Sequence, residues 1–391
     1  MNTFFSADYI VPVTSEAIKN GVVEVTEDGV IEGVYLPNHP NLQGRAINRK
    51  EGIIVPGFVN AHCHLELSHM LGVIPKGTGL VPFLQRVISL RAADERLVQK
   101  AMEAADAQLY NNGIVAVGDH ANTNLSAAVK ARSSIHYHTF IEVIGFEPDT
   151  ASQKLAEARK IRHLFSNEAV SITAHAPYSV SKELFRLLNE EAIRSNKSLS
   201  VHNQESEEEN RLFRYKVGQF LDFYQALGRD ISGFRAQARN SLQTFMSYIS
   251  PETPVLLVHN TYTSPKDIFF IERLERNVSW CFCPNANLYI EGVLPKLRNF
   301  VAYRHKITLG TDSLASNDRL CILSELKTLH QHFPELLFSE TIKWATLNGA
   351  LFLGIAGKYG SLEIGKAPGL NLLTETDGLT ITPDTEVVRL I

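Results

Sequence analysis

The feature that most constrains this chain is a repeated alternation. A short, apolar, β-rich run is followed each time by a longer segment with apolar residues three and four apart, the period of a helix with one buried face. The runs are Ile53–His64, Gly113–Asp119, Ile135–Val143, Val170–Ala174, Leu199–His202, Pro254–His259, Asn277–Cys283 and Lys306–Gly310. The helical segments between them include Arg96–Tyr110, Ala151–Phe165, Lys182–Ser195 and Pro265–Arg276. Nearly continuous apolar strands alternating with helices specify a parallel sheet covered on both faces. Eight such units between residues 58 and 358 fit an α/β chain folded as a closed (β/α)8 TIM-type barrel better than an open doubly wound sheet.

The two ends follow another pattern. Residues 1–57 hold short β-rich pieces, Gly21–Val25 and Val30–Tyr35, broken by Asp28-Gly29 and Pro37-Asn38. Residues 359–391 return to strands and turns at Leu370–Leu373 and Glu386–Leu390. The expectation is a small β-sandwich built from both termini (1–57 and 359–391) beside a barrel of residues 58–358. The segment Glu205–Glu252 is too long for a plain strand-to-helix connection and looks helical at Lys216–Leu227 and Phe234–Tyr248. It reads equally as a lid or substrate wall and as an inert helical insertion.

Composition narrows the class. Of 391 residues, 44% are hydrophobic and 20% charged, which excludes wholesale disorder. The 38 basic and 42 acidic side chains leave a net charge of −4, so no basic excess is available to neutralise phosphates, and nucleic acid is not an expected partner. No stretch approaches the roughly 20 apolar residues of a membrane span. Met1–Ile10 lacks the basic and apolar blocks of an export signal. Four cysteines make no disulfide framework, and Cys281-x-Cys283 reads as buried strand, so a cytoplasmic setting is expected.

The chemistry gathers where strands stop. His62-Cys63-His64 ends the first run, and alternate residues of a strand share a face, so both imidazoles point one way. Imidazole is the commonest neutral metal ligand. Three more runs end in Val201-His202-Asn203-Gln204-Glu205, Val258-His259-Asn260-Thr261 and Gly310-Thr311-Asp312-Ser313. Core histidines placed independently would not choose strand ends so regularly. His69, His120, His136, His138, His305, His330 and His332 show no partner pattern and receive no role.

Over essentially its whole length the chain resembles the amidohydrolase superfamily, in the branch of aromatic amine deaminases and chlorohydrolases. The residues that carry the resemblance are Val55-Pro56-Gly57-Phe58-Val59-Asn60-Ala61-His62-Cys63-His64, His175-Ala176-Pro177-Tyr178-Ser179, His202-x-x-Glu205 and His259. Cys283-Pro284-Asn285-Ala286-Asn287, Gly310-Thr311-Asp312-Ser313 and Gly360-Ser361-Leu362-Glu363-Ile364-Gly365-Lys366 complete it. The resemblance implies one divalent metal, zinc in most relatives and iron in some, held by His62, His64, His202 and Asp312. The lysine that binuclear relatives carry on strand four is absent from Ser171-Ile172-Thr173-Ala174-His175, which argues for a single ion.

The resemblance further implies that a metal-activated water attacks an aminated heterocycle. Glu205 would protonate the ring nitrogen, His259 would stabilise the developing oxyanion, and Asp312 would carry a proton to the departing amine. An adenine-type nucleoside is the favoured small-molecule substrate: S-adenosylhomocysteine, methylthioadenosine or aminodeoxyfutalosine. Chloride displacement or opening of a cyclic amide or formimino bond is the competing chemistry on the same residues. A homodimer is also implied. Three further positions each keep two readings. Glu66 binds a ribose hydroxyl or cationic group, or makes a local salt bridge. His175 contacts substrate, or is a buried hydrogen-bonded histidine. Phe83 lines the pocket entrance, or packs in the core.

Overall fold

A computed structural model describes residues 2–165, 169–302 and 306–391; His305 lies outside them. Eight inner strands follow the expected runs: β1 (Phe58–Cys63), β2 (Ile114–Ala121), β3 (His136–Val143), β4 (Ala169–Ala174), β5 (Leu199–Asn203), β6 (Val255–His259), β7 (Val278–Phe282) and β8 (Lys306–Leu309). They form two four-stranded parallel sheets, ordered β4-β3-β2-β1 and β5-β6-β7-β8. The edges of the two sheets meet at their C-terminal ends. His202 N–H on β5 donates to His175 O just after β4 (2.9 Å), and Thr311 N–H just after β8 donates to His62 O on β1 (3.0 Å).

The helices that connect them include α1 (Leu80–Leu90), α2 (Glu95–Asn111), α3 (Ala127–Arg132), α4 (Ala151–Arg162) and α5 (Lys182–Ser195). Their starts carry the expected chemistry: Asp94 accepts from the N–H groups of Arg96 and Leu97, and Ser181 from that of Leu184. Strand residues such as Val255–His259 and Val278–Phe282 are buried throughout, as a sheet covered on both faces requires. Cys281 and Cys283 are buried free thiols in and just after β7, in line with the buried-strand reading.

The run Ile53–His64 is not one strand. Ile53–Pro56 pairs with Leu370–Leu373 and with Tyr9–Ile10, whereas β1 starts at Phe58 and pairs with β2. The break falls at Gly57, where a Cβ would lie 2.7 Å from Pro368 O and 2.2 Å from Val115 Cγ1, so only glycine allows the chain to pass. The terminal strands form a four-stranded and a five-stranded sheet, the latter combining both ends of the chain. Ile10, Val23, Val25, Ile31, Ile54, Leu370 and Leu372 from the two sheets share one apolar cluster.

In the long segment after β5 the observed helices differ from expectation. α6 (Glu207–Tyr215) was not separated in the sequence; Ser206 caps it, and α7 (Gln219–Ala226) follows. The helix expected at Phe234–Tyr248 shrinks to Ser241–Phe245 and a single tight turn at Met246–Tyr248. Ala238 just before it has φ of 54°, which ends any continuous helix. In the acidic stretch Glu205-Ser206-Glu207-Glu208-Glu209, which by composition reads as a solvated helix face, Glu209 is fully buried, accepts from Gln204 N–H (3.1 Å), and burial lifts its carboxyl to about 8.

One buried ion pair ties helix, strand and first loop together. Lys130 Nζ on α3 lies 2.7 Å from Asp119 Oδ2 on β2, both side chains fully buried, and also donates to Thr139 Oγ1 (2.8 Å). Asp119 Oδ1 accepts from Leu65 N–H (2.7 Å), the residue after His64. Removing one partner of such a pair strands a charge in the interior at a cost of about 3–5 kcal/mol. Lys130→Met should therefore lower stability by roughly that amount in urea titration, whereas Arg132→Met, which breaks an exposed pair with Glu103, should cost under about 1 kcal/mol.

Candidate metal centre and active site

The C-terminal ends of β1, β5, β6 and β8 deliver their side chains to one point. His62 and His64 arrive with shared parity from β1. On β8 the close approach is made possible by Gly310, where a Cβ would sit 2.8 Å from His62 Cβ and 2.9 Å from His62 O. The chain then turns sharply: Asp312 has φ of 55°, and its N–H donates to His62 O (3.2 Å). His259 at the end of β6 has φ of 73°, and Gln204, just before Glu205, 46°. Left-handed backbone at non-glycine residues costs on the order of 1–3 kcal/mol each and persists where the surroundings over-determine it. Here it aims Glu205, His259 and Asp312 inward.

The distances suit a metal. His64 Nε2 and His202 Nε2 are 3.2 Å apart, and Asp312 Oδ1 is 3.5 Å from His62 Nε2 and 3.6 Å from His64 Nε2. Ligands at zinc–nitrogen distances around a tetrahedron are separated by about 3.3 Å. Both ring nitrogens of His62 are fully buried without a hydrogen-bond partner among the described residues, a costly arrangement unless a cation takes one of them. Burial pushes His62 and His202 well below the usual histidine range, leaving neutral imidazoles ready to ligate. His202 Nδ1 donates to His175 O (2.9 Å), which turns Nε2 toward the centre. Ser316 Oγ donates to Asp312 Oδ2 (2.5 Å), leaving Oδ1 free. Two four-residue donor sets result, His62–His202–His259–Asp312 and His62–His64–His120–His202, and His62 and His202 belong to both.

The proton-handling groups lie alongside. Glu205 Oε1 is 3.6 Å from His259 Nε2, and the other ring nitrogen of His259 bonds Asn287 Oδ1 (2.9 Å). Burial, reinforced by the negative charge of Asp312, raises the Glu205 carboxyl well above its ordinary range, which favours its protonated form. Burial also acts to raise Asp312, but the His62 contact and the charges of His64 and His259 outweigh it and hold Asp312 well below the usual carboxylate range. The site thus pushes its two carboxyls in opposite directions.

These residues form the floor of a cavity of about 550 Å3. Phe83, Leu84, Val87 and Ile88 of α1, with Phe146, Tyr178, Phe223 and Tyr224, give it an apolar lining. The long segment after β5 therefore serves as a cavity wall, pinned at the mouth by the Arg229–Glu147 ion pair. Phe83 and His175 are both in the lining. Glu66 is not. Its Oε1 accepts from Thr123 Oγ1 (2.8 Å) and its Oε2 from the N–H groups of Asn122 and Thr123 (3.1 Å each), so it anchors the loop after β2, through amides and a hydroxyl rather than a cation.

Sequence reasoning missed several members. His120 was left without a role because the second run was ended at Asp119; β2 in fact continues to Ala121 and carries His120 inward, its ring 4.5 Å from that of His62. Glu142 on β3 bonds His120 Nδ1 (3.0 Å) and has no motif to mark it. Asn287 does lie in the quoted Cys283–Asn287 stretch, but its role as the His259 partner is visible only in space.

Fold and site together define a hydrolase-type centre of histidine and carboxylate at the ends of parallel strands. Residues 53–390 match the Amidohydrolase family, and the chain belongs to it. An adenosine deaminase of Helicobacter pylori is 25% identical over 89% of this chain and 85% of its own length. An aminodeoxyfutalosine deaminase of a Nitratiruptor species is 27% identical over 86% and 82%. The crystal structure of Helicobacter pylori aminofutalosine deaminase in complex with methylthio-coformycin superposes with a TM-score of 0.82 at 21% identity, covering 99% of this chain and 97% of that one. The donor geometry predicts that purified protein carries divalent metal, measured by elemental analysis, and that His202→Ala, which damages both donor sets, loses at least about nine-tenths of it (one ligand removed from a four-ligand site).

Proposed function

We propose that this chain is a metal-dependent hydrolytic deaminase of an adenine-type nucleoside, of the kind of S-adenosylhomocysteine, methylthioadenosine or aminodeoxyfutalosine, and that it releases ammonia. The observation that carries the reading is the placing of two buried carboxyls, Glu205 and Asp312, on the lining of one cavity beside His259 and a histidine-rich donor set, with the surroundings raising Glu205 and lowering Asp312. Relatives named for deamination of adenosine and aminodeoxyfutalosine support the substrate class. Four ligands, His62, His64, His202 and Asp312, would hold one zinc ion; a set of three imidazoles and one carboxylate favours zinc, with iron the alternative.

Such an ion would supply Lewis acidity, lowering the pKa of a water it binds toward neutrality. The side chains do the rest. Glu205 places its proton on the ring nitrogen next to the carbon that bears the amine, so that carbon can become tetrahedral without leaving negative charge on the ring. His259, held by Asn287, steadies the oxygen added at that carbon. Asp312, oriented by Ser316, accepts one proton of the attacking water and returns it to the departing nitrogen, which leaves as ammonia; the water's second proton, released as the added oxygen becomes a carbonyl, restores Glu205. The apolar walls of α1 and α7 exclude water from the heterocycle.

In this reading the two parallel sheets close as a (β/α)8 barrel over residues 58–358, and the terminal sheets of 1–57 and 359–391 pack as a sandwich. The hydrogen bonds between the sheet edges support the first, and the apolar cluster shared by the terminal sheets supports the second. A cytoplasmic setting agrees with four buried free thiols. Among the described residues no helix is long and apolar enough to cross a membrane.

Ammonia release should be measured on adenosine, S-adenosylhomocysteine, methylthioadenosine, aminodeoxyfutalosine, guanine and cytosine. At least one adenine nucleoside should be deaminated, and Glu205→Gln should lose about 10²–10⁴-fold in kcat with its metal retained, the range for a general acid. No ammonia from any of them, or chloride or carboxylate released from a triazine or cyclic amide instead, overturns the proposal.

A further inference from the structure

The carboxylate sought for substrate hydroxyls at Glu66 is committed elsewhere, and the cavity offers another. Glu142, at the end of β3, is buried yet lines the cavity. Its orientation is fixed from behind. His120 Nδ1 bonds Oε1 (3.0 Å), Asn122 Nδ2 donates to Oε2 (2.9 Å), and His120 is itself held by Ser200 Oγ on its other nitrogen (2.8 Å). Each carboxylate oxygen has acceptor capacity left after these bonds.

His175 faces the same space. Its Nδ1 pairs with Ser179 Oγ (2.7 Å), which also lies 3.1 Å from Ala176 O, so Nε2 is the ring nitrogen available to a ligand. Glu142, His175 and His202 place ligand-type atoms within 4.8 Å of one another. His202 Nδ1 is already occupied by His175 O, so the trio is no second metal site. What remains is a carboxylate and an imidazole nitrogen on the lining of one cavity. Two adjacent hydroxyls, each able to donate or accept, satisfy both.

We infer that Glu142 and His175 together form the anchor for the vicinal 2′- and 3′-hydroxyls of a ribonucleoside, making the enzyme selective for ribose over deoxyribose. This rests on the deaminase reading and names what that reading leaves open: which part of the nucleoside the polar wall recognises. One hydroxyl donates to a Glu142 oxygen and its neighbour bonds His175 Nε2. Glu142 is then a specificity residue that touches substrate, while His120 and Asn122 are positioning residues acting through it. A hydroxyl bonded to a buried carboxylate is worth about 10- to 100-fold in kcat/KM, more than one bonded to a neutral group.

The test compares the metal-loaded enzyme on adenosine, 2′-deoxyadenosine, 3′-deoxyadenosine and 2′,3′-dideoxyadenosine, or the same series built on whichever 5′-substituted nucleoside it turns over best. Wild type should lose about 10- to 100-fold in kcat/KM on removal of one of the hydroxyls. In Glu142→Gln, with metal content unchanged, the ribose-to-deoxyribose ratio should fall to within about 3-fold of unity, mainly through loss on the ribonucleoside. If wild type deaminates the dideoxynucleoside as fast as the ribonucleoside, the anchor is wrong while the deaminase reading stands; this arm needs no variant to fold. If Glu142→Gln slows ribo- and dideoxy-substrates equally, or loses its metal, Glu142 is only structural and the inference fails. If no nucleoside in either panel yields ammonia, the deaminase reading itself falls and takes the anchor with it.

Discussion

His62 imposes the condition on which the rest of the site depends. Its imidazole is entirely buried, both ring nitrogens lack hydrogen-bond partners among the described residues, and its neighbours are four more imidazoles and a carboxylate. Polar atoms in such surroundings are expensive to leave unpaired. The arrangement makes sense when a cation sits among them, and the strand ends are shaped to bring that about. Gly310 lets β8 press against His62, Asp312 turns in with left-handed backbone, and Ser316 fixes which carboxylate oxygen is offered. The strain stored at Asp312 and His259 is compensated by the well-buried strands on either side.

The same dense grouping separates the two acidic side chains. Glu205 meets burial and the charge of Asp312, both of which favour its protonated form; Asp312 meets histidines, which favour its ionised form. A donor and an acceptor of protons are thereby present at one pH without a second cofactor. Glu142 repeats the logic one step up the wall, a buried charge made tolerable by His120, Asn122 and the adjacent His175.

Much of this could be read from the chain, because parallel sheets write a simple signal. The eight inner strands fell within a few residues of expectation, and the alternate spacing of His62 and His64 placed both on one face. What escaped has physical causes. Gly57 divides a run that looks continuous, since the need for a bare Cα there comes from Pro368 and Val115, far away in sequence. His120 was lost because one more turn of strand pairing, with β3, carries β2 past Asp119. Glu209 looks solvated inside Glu205–Glu209 but is buried, its carboxylate accepting from Gln204 N–H just after β5. Glu66 has the right parity for the cavity, but the loop after β2 folds its amides onto it. Glu142 sits in an apolar strand with no local partner, and its partners come from β2 and β4. In each case the missing information is a contact between elements distant along the chain.

The central claim is that these strand ends exist to hold one divalent ion. Anomalous diffraction from crystals of the purified protein, collected above and below the zinc and iron edges, addresses it directly. One peak is predicted, about 2.0–2.2 Å from His62, His64 and His202 nitrogens and from Asp312 Oδ1. A fully occupied second peak, or no peak after incubation with zinc or iron, would contradict the account.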